Sequence, residues 1–384
     1  MGGWMMNGAV AGIGRPTAMF IFGDSLVDVG MNNRIRSFAR ANYRPNGIDY
    51  PGGVPTGRFC NGLLISDFLS QHWNMPATLA YTDPANTGQT LLNGANFASA
   101  GAGILNDTGN IFVSALMNQR FRMSQQIELF REYNEKITAL VGEVEASRIL
   151  AGAAVSLTIG SNDFLANYFL PISPRRAKFK IPQYIDLLIA EFRKQVTIIY
   201  EIGARNIIVA GVGPIGCIPL AIGTRRATDG GKCIDQYQQA GIAFNARVVL
   251  LVDEFRQTFT GATVLYSDAF DIAMNFIQNP SKYGFTNANS GCCGRGPNRG
   301  IIPCSRADPR SRILQELCIL IADVLCRDVP RCQYQLVPAA EMCRDVSINL
   351  FLLRAEMRSR QGVASSPPCR SSSMAMGQTN PPKR

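Results

Sequence analysis

The sequence of 384 residues is poor in histidine, in charge and in long apolar runs. It contains one histidine, His72, and none of its eleven cysteines forms a Cys-x-x-Cys pair, so the ligand spacings of zinc sites are absent. No apolar run approaches the roughly 20 residues that a membrane-spanning helix needs. We therefore expect no metal, no other cofactor and no stable insertion into a membrane.

The composition predicts a globular protein with a full core. Hydrophobic residues make up 46% of the chain and charged residues only 17%, a balance that excludes a disordered protein. The formal net charge is +10, but the lysines and arginines are scattered, without interleaved aromatic residues or a nucleic-acid-binding motif. We interpret them as a solvated surface and expect no nucleic-acid partner.

Short β-branched runs alternate with helical stretches along the chain. The runs AMFIFG, AAVSLTIG, NIIVAGVG and TVLYSD each end in glycine or a polar turn, as buried parallel strands do. The stretches between them predict helices, one with Ser124 as its N-cap and another that opens on Pro182. This alternation predicts an α/β fold with a parallel sheet covered on both faces.

Three segments of small and polar residues occupy positions where sites gather in such folds, beyond the carboxyl ends of strands. Ser25 in FGDS stands at a strand-to-helix turn, where helix N–H groups favour developing negative charge, although ordinary turn chemistry selects the same residues. The small residues of GANFASAGAGI suit either an oxyanion-binding N–H or a tight packing turn. Asn162 in GSND can donate to an oxyanion or cap a helix. The Gly-x-Ser-x-Gly elbow of α/β-hydrolases is absent, since Leu26 and Val27 follow the serine.

The order of these segments matches a known family. Together with GVPTGRFCNG, GPIGCIP, NPSKYGF and GCCGRGPNRG, they make the chain resemble the plant-type GDSL esterase/lipases of the SGNH hydrolase superfamily. The resemblance runs from about Met19 to Cys304. It implies a three-layer α/β/α sandwich with a parallel, flavodoxin-like sheet, and a serine ester hydrolase acting on acyl-ester or lipid substrates. By resemblance, Ser25 is the nucleophile, while its own N–H, the N–H of Gly101 and the side chain of Asn162 form the oxyanion hole.

Several cysteines lie in loops. Cys292, Cys293 and Cys304 bracket a glycine-rich loop of the kind that a disulfide closes, although buried free thiols would also fit. The family resemblance adds a bridge between Cys217 and Cys233, and a secreted location. The first residues show no basic segment followed by a long apolar one, so we expect that the N-terminus has been shortened and a signal peptide lost.

The family's final block, which supplies Asp-x-x-His, does not occur in this sequence. In the family, that histidine deprotonates the serine and the aspartate orients the imidazole. His72 falls in a part of the family's chain that carries no catalytic residue, and we interpret it as structural. We therefore expect the chain to be nearly inactive, because loss of the histidine in a serine hydrolase costs roughly six decades in turnover.

Residues 305–384 differ in composition from the body, with eleven arginines, five cysteines and no histidine. We predict a hydrolase domain at residues 1–304, incomplete at its C-terminal end, and an atypical tail at residues 305–384. A shifted reading frame or a misjoined exon would produce such a tail, and a diverged tail with another role is the alternative. Three hypotheses for function follow: an impaired ester hydrolase, an inactive protein that binds esters or glycan esters, and a basic protein that interacts through its tail.

Overall fold

Five short strands form one parallel sheet in the computed structural model, which describes residues 13–110, 119–224, 231–302 and 304. The strands are β1 (Met19–Gly23), β2 (Gly94–Asn96), β3 (Ala154–Thr158), β4 (Asn206–Ala210) and β5 (Thr263–Ser267). Their order in the sheet is β2-β1-β3-β4-β5, and every pairing is parallel. Because β1 lies between β2 and β3, the segments that follow these three strands leave the sheet side by side.

Helices connect the strands. They are α1 (Ile65–His72), α2 (Met123–Val141), α3 (Glu143–Gly152), α4 (Ser161–Asp163), α5 (Pro174–Lys178), α6 (Ile181–Ile202), α7 (Pro219–Thr224), α8 (Asp235–Thr258) and α9 (Ala269–Gln278). A π-helical turn, Phe164–Tyr168, continues α4. Among the described residues, no helix combines the length and the apolar character needed to cross a membrane.

The two faces of the sheet are covered by different helices, because successive side chains of a strand point in opposite directions. Phe20 and Phe22 of β1 are buried in the larger core, together with apolar residues of α2, α6 and α8. Met19 and Ile21 pack on the other face with Trp73 and the apolar side of α1. The predicted three-layer α/β/α sandwich with a parallel sheet is confirmed.

The local predictions hold with two exceptions. The four quoted runs contain β1, β3, β4 and β5, and Pro182 is the second residue of α6. The strand β2 is not predicted, because it has only three residues and lies within the small-residue segment. The prediction that Ser124 caps α2 is wrong: Arg122 is the N-cap, and the hydroxyl of Ser124 donates instead to Oδ1 of Asn106, 2.7 Å away.

Disulfides join cysteines in the loops that the sequence singles out. Cys217 is bonded to Cys233, which confirms the bridge implied by the family resemblance. Cys293 is bonded to Cys304, so a disulfide closes the glycine-rich loop, as expected. The predicted tail at residues 305–384 lies outside the described residues.

Candidate active site

Ser25 lies in a turn directly after β1, at the carboxyl edge of the sheet. The turn begins at Gly23, where a Cβ atom would approach the carbonyl oxygen of Thr158 to 2.3 Å, so only glycine fits. The N–H of Asp24 donates to that same oxygen at 3.3 Å, which ties the turn to β3. Ser25 itself is half-buried, so its hydroxyl is fixed on a rigid framework and still reachable.

Gly101 belongs to the segment that follows β2, residues 97–105, which we call the small-residue loop. This loop runs alongside the end of β1, because the N–H of Ser99 donates to the carbonyl oxygen of Gly23 at 3.0 Å. Gly101 has a φ of 86°, in the left-handed region that glycine adopts without strain. The glycine is therefore needed for the backbone path that brings its N–H to the edge of the sheet.

Asn162 lies in α4, directly after β3, and its side chain is half-buried. The side-chain nitrogen donates to the carbonyl oxygen of Ala102 at 2.8 Å. A side-chain amide nitrogen carries two hydrogens, so this bond orients the amide and leaves the second hydrogen to donate elsewhere. Asn162 is thus joined to the residue that follows Gly101.

The structure therefore places the three predicted site residues on neighbouring segments at one edge of the sheet. Ser25 follows the central strand β1, Gly101 follows β2, and Asn162 follows β3. The connection after β1 leads to β2 on one side, whereas the connection after β3 leads to β4 on the other side. In parallel α/β sheets, ligands bind in the crevice that forms where two such connections diverge. Acyl transfer requires a serine hydroxyl together with backbone and side-chain N–H donors.

Asp28 holds one end of the small-residue loop through a hydrogen bond. Its buried carboxylate accepts three backbone hydrogen bonds, from the N–H groups of Gly30 at 2.8 Å, Met31 at 2.7 Å and Ala100 at 2.9 Å. Burial raises the pKa of Asp28 to about 7, and the same N–H donors oppose that rise. The bond to the N–H of Ala100 fixes the peptide between Ser99 and Ala100, one residue before Gly101.

Asp163 anchors the other end of the same loop. It accepts hydrogen bonds from the N–H groups of Ile104 at 2.8 Å and Leu105 at 3.0 Å, and from the hydroxyl of Thr108 at 2.6 Å. Burial raises the pKa of this carboxyl to about 6, while the hydrogen bonds oppose the rise. Because Asp163 follows Asn162 in the chain, both residues connect α4 to the small-residue loop.

Asp24, beside the predicted nucleophile, is also buried. Its Oδ1 accepts a hydrogen bond from the N–H of Leu26 at 3.0 Å, whereas no described residue donates to its Oδ2. Burial raises the pKa of Asp24 to about 7, and the carboxyls of Asp163 and Asp28 add to the rise.

Within the described part of the chain, no group of three or more histidine, cysteine or acidic side chains is arranged to hold a metal ion.

The side chain of Gln126 in α2 is hydrogen-bonded to the end of β1. Its side-chain oxygen accepts from the N–H of Gly23 at 3.0 Å, and its side-chain nitrogen donates to the carbonyl oxygens of Gly23 and Phe121, each at 2.9 Å. The N–H of Phe121 in turn donates to the hydroxyl of Ser99 at 2.9 Å. The start of α2, the small-residue loop and the turn before Ser25 thus form one hydrogen-bonded framework.

Asp28, Asp163 and Gln126 are not predicted as site residues from the sequence. A signal exists for Gln126, because it occupies a polar position on a buried stripe of α2 that also holds Met123, Ile127 and Phe130. A fully buried glutamine on such a stripe must find partners. The partners of Asp28 and Asp163 in the small-residue loop are 58 to 72 residues away in the chain, and no local pattern indicates those contacts.

His72 lies at the opposite edge of the sheet from Ser25. It is the last residue of α1, two positions after Ser70, whose hydroxyl lies 3.5 Å from the sulfur of Met19 at the start of β1. The five residues of β1 separate Met19 from the turn before Ser25 by about 13 Å. The imidazole instead lies next to Trp73, with 5.8 Å between the ring centroids. The structure therefore gives His72 no path to the serine hydroxyl.

Comparisons with known proteins agree with this architecture. Residues 19–323 match the family model described as GDSL-like Lipase/Acylhydrolase. The chain is similar to GDSL esterase/lipase At4g28780 of Arabidopsis thaliana, with 42% identity over 288 residues that cover 75% of this chain and 77% of that relative. It is also similar to GDSL esterase/lipase At5g18430 of the same plant, with 38% identity over 82% of this chain and 83% of the relative. The chain belongs to the GDSL-like lipase/acylhydrolase family, and by that membership it is a carboxylic ester hydrolase.

Proposed function

We propose that this chain binds acyl esters with the carbonyl carbon facing the hydroxyl of Ser25. The ester oxygen then receives hydrogen bonds from the N–H groups of Ser25 and Gly101 and from the side chain of Asn162. The observation that carries this proposal is the hydrogen bond from Asn162 to Ala102, because it joins two of the three donor segments and leaves one amide hydrogen for the substrate. Donors fixed in advance need no reorganisation when negative charge develops.

We further propose that the 384-residue chain turns esters over slowly. The sequence holds one histidine, and it lies at the other edge of the sheet, so no imidazole is available to take the proton of Ser25. Loss of that base raises the barrier by about 8 kcal/mol, which corresponds to roughly six decades in rate. The remaining rate then comes from the oxyanion hole and from substrate binding.

Phosphonylation of Ser25 tests both statements. The full chain is treated with a fluorophosphonate, with and without added imidazole, and the labelled peptide is identified by mass spectrometry. We expect slow labelling at Ser25, acceleration by imidazole as a diffusible base, and no labelling of Ser25→Ala at that peptide. Labelling at another residue would overturn Ser25 as the nucleophile. Rapid labelling without imidazole would show that the chain supplies a base after all.

The same geometry supports a second candidate, an inactive protein that binds esters without hydrolysing them. Hydrogen bonds from Gln126, Asp28 and Asp163 hold the framework around Ser25 although the base is missing, as a binding site requires. The two candidates differ in what imidazole does. If imidazole accelerates phosphonylation, Ser25 retains nucleophilic geometry and the impaired hydrolase is supported. If ester binding is measurable while imidazole has no effect, the binding protein is supported.

We propose that the protein is secreted, on the strength of its two observed disulfides, since such bonds persist in oxidising compartments. Expression with and without an added signal peptide tests this. Titration of free thiols should find both bridges formed only in the secreted product. Equal activity and equal thiol counts from a reducing cytosol would contradict the proposal.

We also propose that the hydrolase domain ends near Cys304 and that residues 305–384 come from a departure from the family's reading frame. The compositional change carries this proposal. Because the family match reaches residue 323, the transcript should be sequenced across the codons for residues 304 to 323 and translated in all frames. A downstream Asp-x-x-His in another supported frame is the expected result. Confirmation of the present frame would overturn it.

A further inference from the structure

A cavity of about 270 Å³ lies beside the small-residue loop. It is lined by Arg120 and Arg122, and by the polar side chains of Asn110, Gln119 and Gln125. A Cβ atom on Gly101 would lie 3.5 Å from Cδ of Arg120, so the cavity adjoins the predicted oxyanion hole. Its volume is near the lower end of ligand pockets, which begin at about 300 Å³.

The wall of this cavity is part of the framework that holds Ser25. Residues 119–122 are fixed by the bond from the N–H of Phe121 to the hydroxyl of Ser99, and by the bond from Gln126 to the carbonyl oxygen of Phe121. Arg120 also donates to the carbonyl oxygen of Thr108 and to Oδ1 of Asn110. The guanidinium group of Arg120 is therefore held in place relative to the ester site.

Among the described residues that line the cavity, two are arginines and none is acidic. Nε of Arg122 is buried, and no described residue accepts a hydrogen bond from it. Burial lowers the pKa of Arg120, repulsion by the positive charge of Arg122 lowers it further, and the carboxylate of Asp107 opposes both effects. The nearby carboxylate of Asp107 pairs through Oδ2 with Arg175 at 2.8 Å, whereas its buried Oδ1 has no hydrogen-bond partner among the described residues. A bound anion would relieve this repulsion.

The surface around the cavity extends the positive charge. Residues 34–44 contain four arginines and no acidic residue. Arg36 is joined to Gln119 by two hydrogen bonds, at 3.0 and 3.1 Å, which bring this segment to the cavity's edge. Charge of one sign around a cleft raises the local concentration of ligands with the opposite sign.

We propose that this cavity is an anion subsite of the ester site, so that the preferred ligand is an ester that also carries a carboxylate or phosphate group. The guanidinium of Arg122 binds the anionic group, with Arg120 supplying a second positive charge beside it. Planar guanidinium groups match carboxylate and phosphate oxygens with two parallel hydrogen bonds. This inference rests on the proposed function, because the subsite serves an ester bound at Ser25.

Calorimetric binding of matched esters to the full chain tests the subsite. Monomethyl suberate and dimethyl suberate differ by one carboxylate, and 1-octanoylglycerol 3-phosphate and 1-octanoylglycerol differ by one phosphate. In each pair we expect the anionic ester to bind about tenfold more tightly, as one charge-assisted contact allows. The pair with the larger preference identifies the source of the anion.

Variants of α2 and its N-cap complete the test. Arg122→Gln should remove the preference for the anionic ester and leave the neutral ester's affinity unchanged, whereas Arg122→Lys should retain part of it. Arg131→Gln is the matched control, since Arg131 is exposed on the same helix and only 3.7 Å from Glu128. Equal affinities for both members of each pair, or equal losses in Arg122→Gln, would overturn the subsite while the ester site remains supported. If no ester binds, the proposed ester site fails, and the subsite with it.

Discussion

The side-chain nitrogen of Asn162 donates a hydrogen bond to the carbonyl oxygen of Ala102, across a distance of 2.8 Å. The bond joins the segment after β3 to the segment after β2, on either side of the turn that carries Ser25. An amide held in this way can present its second hydrogen at a fixed position. The same bond therefore has a structural effect on the small-residue loop and a chemical effect on a bound ester.

Replacement of Asn162 by alanine tests the chemical effect. We expect imidazole-assisted phosphonylation of Ser25 to slow by about 100- to 1000-fold, as happens when one oxyanion-hole donor is lost. The labelling rate is followed by mass spectrometry of the Ser25 peptide. Asn279→Ala is the control, because Asn279 is exposed and its amide contacts only Asn275. An unchanged rate in Asn162→Ala would exclude the side chain from the oxyanion hole.

Asp28→Ala should destabilise the fold. The substitution leaves the buried N–H groups of Gly30, Met31 and Ala100 without their acceptor, and each such loss costs about 1 to 3 kcal/mol. We expect the free energy of unfolding in urea to fall by roughly 3 kcal/mol or more. Asp186→Ala, which removes only an exposed ion pair, should change it by less than about 1 kcal/mol. Equal effects of the two substitutions would refute the anchoring role of Asp28.

The sequence predicts the parts of this fold that local patterns determine. Apolar runs with β-branched residues predict four strands, and the family motifs predict Ser25, Gly101 and Asn162 as neighbours. The strand β2 is not predicted, because three residues are too few to show a strand pattern. Ser124 is predicted as a cap on local grounds, yet its hydroxyl finds a partner in Asn106, eighteen residues away. Gln126 binds Gly23 across 103 residues of chain, and no local pattern indicates that contact.

Stability should depend on pH through Asp24. Burial raises its pKa from 3.8 to about 7, so between these values the unfolded chain has lost the proton and the folded chain has kept it. The contribution of Asp24 to stability is therefore greatest below about pH 4 and falls as the pH rises to about 7. A shift of about three pKa units corresponds to on the order of 4 kcal/mol.

Asp24→Asn isolates this contribution, because asparagine keeps the acceptor for the N–H of Leu26 and cannot ionise. Relative to the unsubstituted protein, we expect the variant to gain stability from about pH 4 to about pH 7 and no further above that, measured as the difference in unfolding free energy in urea. Asp186→Asn, at an exposed position, is the matched control. Parallel pH profiles for Asp24→Asn and the unsubstituted chain would show that the carboxyl ionises alike in both states.

His72→Gln should leave the chemistry of Ser25 unchanged. The histidine ends α1 near the start of β1, and the serine follows the end of that strand, so the two groups lie at opposite edges of the sheet. We expect the same rate of phosphonylation and the same acceleration by imidazole as in the unsubstituted chain. Because a general base contributes at least two decades in rate, a catalytic His72 would instead make labelling drop by about 100-fold or more. In that case imidazole would accelerate the variant far more than the unsubstituted chain. Such a result would mean that α1 rearranges so that His72 reaches Ser25 and acts as the base.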